Sequence, residues 1–230
     1  MNEGTKESVL KASQLPANAE EPPDETVSID PAAMFKLSYG LFVLTAKDGH
    51  KDNGCIINTV LQVTASPMRI VIAVNKSNFT TGMIIRTGSF NVSILTESTP
   101  FSIFEQFGFS SGKGSDKFEK CGYDTRTING IRYIPHHTNG VLSATVAGSY
   151  DCGTHIMFIA DIAETLIFSN EPSMTYRYYF DHVKPKPQSS PKARKGFVCK
   201  ICGYFLESDT LPADFVCPLC NHGAQDFESL

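Results

Sequence analysis

Two Cys-x-x-Cys pairs near the end of the chain constrain it more than any other feature: Phe197-Val-Cys199-Lys-Ile-Cys202-Gly-Tyr and Phe215-Val-Cys217-Pro-Leu-Cys220-Asn-His. Each such turn directs two thiolates at one ion while backbone N–H groups point at the sulfurs. Two facing turns then enclose a tetrahedral four-sulfur site. A thiolate cage takes a soft or borderline metal, so iron and zinc lead. Without a ligand, a segment of roughly 35 residues has no means of building a core. Cys199, Cys202, Cys217 and Cys220 are therefore the expected metal ligands. Gly203 permits a tight first turn, Pro218 stiffens the second, and Phe197, Tyr204, Phe215 and Phe227 supply rings to pack beside the metal.

A disulfide reading of the seven cysteines needs an oxidising compartment. The first 30 residues are polar and acidic with no apolar signal core, so export is not expected and the cytoplasm is. No run approaches the roughly 18 apolar residues of a membrane helix. A hydrophobic fraction of 41% with 19% charged residues fits a soluble globular protein.

Charge is unevenly placed. Residues 1–30 hold seven acids and two lysines, residues 31–183 balance to zero, residues 184–195 hold five basic residues and no acid, and residues 196–230 hold five acids against Lys200. An acidic tail argues against nucleic acid and for a basic protein surface as its partner. Residues 1–29 read as a flexible arm, 30–183 as the main domain, 184–195 (KPKPQSSPKARK) as a basic Pro/Ser/Lys linker, and 196–230 as the metal-knuckle domain. The linker reaches at most roughly 40 Å when extended.

The main domain reads as mainly β. Asp30-Pro31 opens an expected short helix that ends near Tyr39, with Gly40 as its stop. Strands are expected at 41–46, 55–65, 69–74, 89–95, 141–150 and 155–168, with a turn at Lys47-Asp48-Gly49 and another at Ser66-Pro67. Helices are expected from Asn78 to Arg86 and from Thr99-Pro100 to Gln106. No strand–helix alternation of the doubly wound kind appears, so an antiparallel barrel with short helices is expected. No G-x-G-x-x-G follows a strand. The run Gly108-Phe-Ser-Ser-Gly112-Lys113-Gly114 fails as a phosphate loop, having three residues between its key glycines and Gly114 where Ser or Thr is required.

Two segments remain as candidates. Asn53-Gly54-Cys55-Ile56-Ile57-Asn58-Thr59 enters a strand, and Asn75-Lys76-Ser77-Asn78-Phe79-Thr80-Thr81 opens a helix, gathering a lysine, hydroxyls and amides near helix-start N–H groups. That is an anion site, or a polar cap with a solvated lysine.

The tail resembles rubredoxin over 197–230, in a form with a short connection between knuckles and with Asn221 where glycine usually recurs. From about Asp30 to Phe180 the chain is similar to the flavin reductase-like family, the FMN-binding split barrel. The resemblance rests on Gly40-Leu-Phe-Val-Leu-Thr45, the Asn53–Thr59 segment, Ser66-Pro67, Val74-Asn75-Lys76, Gly88-Ser-Phe-Asn-Val92 and Gly153-Thr154-His155. It departs at Met68, where many members have a second proline. The resemblance implies FMN, with residues 53–59 along the isoalloxazine ring and ribityl chain and Asn75, Lys76, Ser77, Asn78, Thr80 and Thr81 around the phosphate. It also implies His155 near the ring where a nicotinamide approaches, and a homodimer. A histidine at a strand start is otherwise structural, and hydride transfer needs no protein acid or base. Tyr176, Tyr178 and Tyr179 could cover the flavin or pack the barrel.

The fusion resembles the high-molecular-weight rubredoxins. That implies electrons from NADH or NADPH to FMN, then to one iron held by four cysteines, then to an acceptor such as a flavodiiron dioxygen or nitric oxide reductase. The other readings are a flavin reductase that releases reduced flavin and carries a zinc-bearing docking tail, and a flavin-bearing shuttle without nicotinamide activity.

Overall fold

The structure, a computed structural model, describes residues 31–119, 121–122, 124–185, 196–199, 205–217 and 223–229. The N-terminal arm, Asp30, linker residues 186–195, Cys202, Gly203, Tyr204, Pro218, Cys220 and Asn221 lie outside them. The chain divides into two units, Met1–Val183 and Lys184–Leu230.

Seven strands form one antiparallel sheet in the first unit: β1 (Phe42–Asp48), β2 (Lys51–Ile57), β3 (Val60–Ala65), β4 (Met68–Asn75), β5 (Ser89–Leu95), β6 (Thr138–Asp151) and β7 (His155–Ile167). Their order is β2-β1-β5-β6-β7-β4-β3. Strands β2 and β3 are thus the two edges, yet only Asn58 and Thr59 separate them in the chain. Three residue steps reach at most about 11 Å, so the edges meet at that corner and the sheet curls into a barrel.

Strand β1 shows why these sequences are apolar on both faces. Leu44 joins the barrel interior with Ile72, Val74, Met83, Phe90 and Phe158, while its neighbour Val43 packs outward against a second cluster with Leu95, Phe104, Phe107, Phe118 and Tyr179. Successive strand residues point to opposite faces, and here both faces are covered. Helix α1 (Phe79–Thr87) connects β4 to β5 and ends where Gly88 adopts a left-handed φ of 69°, its N–H bonded to Ile84 O. Helix α2 (Phe101–Gly108) carries Phe104 and Phe107 into the outer cluster.

Four local expectations are corrected. The first helix is a 3-10 turn, Pro31–Lys36, and does not continue to Tyr39; Met34 and Leu37 are exposed, so a longer helix has no face to bury. Gly40 is no helix stop: it bridges to Thr175 and lies against the Phe42 ring. The expected strand at 55–65 is two strands, because Asn58 and Thr59 carry the chain across the split between the edges. The first hairpin turns at Gly49-His50, one residue later than expected, with Gly49 at φ 59°.

In the second unit, β8 (Phe197–Cys199), β9 (Phe205–Leu206) and β10 (Phe227–Ser229) form a sheet in the order β10-β8-β9. Among the described residues no helix is long and apolar enough to cross a membrane.

Candidate functional site

The two polar segments converge through the strand order. Val60 lies opposite Ile72, so Asn58 and Thr59 emerge beside the end of β4, where Asn75 begins the second segment. Asn75 in turn lies opposite His155 at the start of β7. Lys76 N–H donates to Thr154 O at 3.0 Å, and the Lys76 ammonium pairs with Asp151 at 2.6 Å. The β6–β7 turn is held open by Gly153 at φ 86°, and Gly153 N–H donates to Asp151 Oδ1 at 2.8 Å. Those two donors hold the Asp151 carboxyl below the ordinary carboxylate range, Lys76 being the larger cause. Lys76 is therefore neither a simple solvated lysine nor an uncommitted phosphate anchor.

Within 75–81 the side chains divide into holders and presenters. Asn75 Oδ1 accepts from the backbone and hydroxyl of Ser77 at 2.9 and 2.8 Å, shaping the turn into α1. Thr80 and Thr81 are buried, with the Thr81 hydroxyl on Asn75 O and the Thr80 hydroxyl accepting from Asn53 Nδ2. Ser77 is exposed and Asn78 half-buried, and the Asn78 side chain does not cap α1. The helix start therefore keeps its capacity for an anion. Thr154 and His155 Nδ1 lie 2.9 Å apart, setting the orientation of the imidazole.

Within 53–59 the burial is graded. Asn53, Gly54, Cys55 and Ile57 are buried, while Ile56, Asn58 and Thr59 are half-buried. Asn53 Oδ1 is a buried acceptor without a hydrogen-bond partner, and Gly112 from the loop after α2 lies so close that a Cβ there would meet the Asn53 amide. The loop is fastened by Lys51, whose ammonium reaches Gly112 O at 2.6 Å. Burial pushes the Cys55 thiol up to about 11, so Cys55 is a packed neutral thiol rather than a nucleophile. Tyr179 is buried against Phe104, their ring centres 4.4 Å apart, and packs the barrel.

Several buried polar residues had no motif to announce them. Asp52 accepts both contacts of Arg126 Nη1, at 3.2 and 3.1 Å, and the backbone N–H of Arg132 at 3.1 Å. Lys117 is buried, with its ammonium on Gly54 O and Phe107 O. Cys121 Sγ accepts from Gln106 Nε2 at 3.0 Å. Their partners lie up to 80 residues away in the chain.

In the second unit Cys199 and Cys217 are wholly buried in one cluster with Phe227, flanked by Phe197, Leu211 and Phe215. The sheet puts Cys199 opposite Phe227. Cys202 and Cys220, the other two expected ligands, lie outside the described residues, and among the described residues no three metal-ligating side chains gather. Two thiols withdrawn together into an apolar cluster are the donors that a soft metal requires.

A flavin reductase-like domain model matches residues 34–186. The chain belongs to the flavin reductase-like family. Residues 197–228 match a rubrerythrin, rubredoxin-like domain, so this family member carries a rubredoxin-like domain after the flavin reductase-like one in the chain. It is an oxidoreductase that uses flavin and iron. It is 32% identical to a high molecular weight rubredoxin of Moorella thermoacetica, over 88% of this chain and 100% of that protein. It is 31% identical to a ferric-chelate reductase (NAD(P)H) of Archaeoglobus fulgidus, over 75% of this chain and 100% of that one. Among solved structures, an NADH:FAD oxidoreductase of Streptomyces globisporus superposes with a TM-score of 0.57 at 20% identity, covering 67% of this chain and 93% of its own. That likeness confirms the barrel fold.

Proposed function

We propose that this protein takes electrons from NADH or NADPH into FMN and passes them through the tail's iron to an acceptor protein. The observation that carries this reading is the fusion itself, a flavin reductase-like domain and a rubredoxin-like domain in one chain. Bound flavin supplies the conversion from a two-electron donor to one-electron transfer, and the iron carries single electrons.

The chain's own residues have defined tasks in this reading. Ser77 and Asn78, with the N–H groups opening α1, receive the phosphate, while Asn75, Thr80 and Thr81 hold that turn in shape. Lys76 is steadied by Asp151 and adds positive charge at the same corner. Ile56, Asn58 and Thr59 line the ring and ribityl chain, backed by Asn53, Gly54, Cys55 and Ile57. His155, oriented by Thr154, meets the nicotinamide side as a hydrogen-bonding group. Cys199, Cys202, Cys217 and Cys220 hold the iron.

The acidic tail docks on a basic acceptor surface such as that of a flavodiiron dioxygen or nitric oxide reductase. Leu61, Val63 and Met68 are exposed on the edge hairpin, which favours pairing with a second copy as a homodimer. Cytoplasmic residence keeps the four thiols available to metal. Metal analysis together with anaerobic stopped-flow mixing against NADH and NADPH tests the reading. One iron per chain and reduction of both chromophores support it. Zinc in the tail with release of reduced flavin would favour a plain reductase. A flavin that neither nucleotide reduces would favour an electron shuttle.

A further inference from the structure

Lys117 is a cation in the barrel unit that the reading above does not use. The residue is 6% exposed. Its ammonium donates to Gly54 O at 2.8 Å and to Phe107 O at 3.0 Å. Among the described residues no carboxylate pairs with it; the acids nearby in sequence are otherwise placed, Asp116 accepting from Phe118 N–H and Glu119 lying on the surface. Burial holds the Lys117 ammonium below its ordinary lysine range.

A buried cation of this kind is expensive, and isolated lysines are seldom kept in cores without a counter-charge. Fastening a loop does not require it, because the same loop is already clamped by the Lys51–Gly112 bond and by Phe107 and Phe118 in the outer cluster. What Lys117 adds beyond Lys51 is a buried positive charge against the middle of β2, fixed to the carbonyl of Gly54, two residues before Ile56. Resting on the flavin reading, we propose that Lys117 tunes the flavin: its charge behind β2 favours reduced over oxidised FMN. FMN that has gained two electrons and one proton carries one more negative charge than oxidised FMN. A fixed cation in a low-dielectric setting therefore stabilises the reduced form more. Lys117 touches no reacting atom in this account and acts through its charge alone.

The test uses the full-length, FMN-loaded protein. Midpoint potentials of flavin and iron are measured together in Lys117→Gln, Lys117→Met and Lys117→Arg. Loss of the charge is expected to lower the preference for reduced over oxidised FMN about tenfold, a shift of about 30 mV for a two-electron couple. The iron potential stays in place, and Lys117→Arg recovers most of the flavin shift. A folded Lys117→Gln protein with an unmoved flavin potential overturns the proposal, as does equal weakening of oxidised and reduced FMN, which would assign the charge to the phosphate. If the neutral variants do not fold, the wild type decides. Uptake of one proton per two electrons down to about pH 6 supports a cation beside the ring, and two protons overturns it. A protein that takes up no FMN contradicts the flavin reading itself, whereas FMN bound with an unmoved potential removes only the role of Lys117.

Discussion

The barrel and the tail are stabilised by different means. The barrel closes around one apolar cluster and carries a second on its outer face, joined by helices α1 and α2, with Leu44, Ile72, Phe90 and Phe107 all sealed from solvent. Its polar corner is positioned by strands and turns anchored on those clusters. In the tail, among the described residues, the buried cluster consists of Cys199, Cys217 and Phe227. Two of these three side chains are thiols expected to bind metal, so the atoms that perform the function are also the core. On the proposed reading the flavin site should empty and refill, whereas emptying the metal site should unfold the domain around it.

The largest expected effect breaks this contrast if it fails. Cys199→Ser or Cys217→Ser should abolish the iron–thiolate absorption and leave residues 196–230 unfolded and open to protease. The melting transition of the barrel should not move, because metal binding supplies the folding free energy of small metal domains. Coupled loss of both units would show that the tail supports the barrel.

Asp52→Ala comes next and should act on the barrel alone. It removes one acceptor of Arg126 and the acceptor of the Arg132 backbone N–H, while both guanidiniums keep Asp124. We expect a cost of about 2 kcal/mol by chemical denaturation, the range for losing hydrogen bonds to a charged group, because Asp124 still compensates both arginines. Gly112→Ala sharpens the role of the covering loop. Its Cβ has no room beside Asn53, so a loss of about 1–3 kcal/mol and faster cleavage within residues 109–116 should follow.

The smallest effect depends on pH. The Cys55 thiol sits at about 11 against an ordinary 9.0, raised by burial. A group whose folded value is raised contributes stability that is complete below about pH 9 and is lost as pH climbs through about 11. The stability difference between wild type and Cys55→Ala should shrink across that window and stay level below it. A constant difference would show that Cys55 acts by packing volume alone.

The contrast also explains what could be read from the chain. The tail's ligands fall in two four-residue turns, so spacing alone exposes them. Strand-rich composition and the order of the polar segments made the barrel legible as well. The corner between β2 and β3 was not: Asn58 and Thr59 lack the Gly or Pro that usually marks a break, so two strands on opposite edges read as one. Lys117 and Asp52 were invisible because their partners come from remote stretches, Gly54 lying 63 positions from Lys117 and Arg126 lying 74 from Asp52. Nothing in Asp116-Lys117-Phe118 as a tripeptide distinguishes a buried cation from a solvated one. Lys76 shows the reverse case: it stands in a candidate motif, yet its ammonium is paired with Asp151.

The account turns on electrons passing from one unit to the other. The most direct test is an anaerobic addition of NADH or NADPH to the purified full-length protein while the visible spectrum is followed. The flavin band should bleach first and the iron–thiolate bands should follow within the same turnover. Bleaching of the flavin with iron–thiolate bands that stay oxidised would contradict the account and leave a reductase with an idle tail.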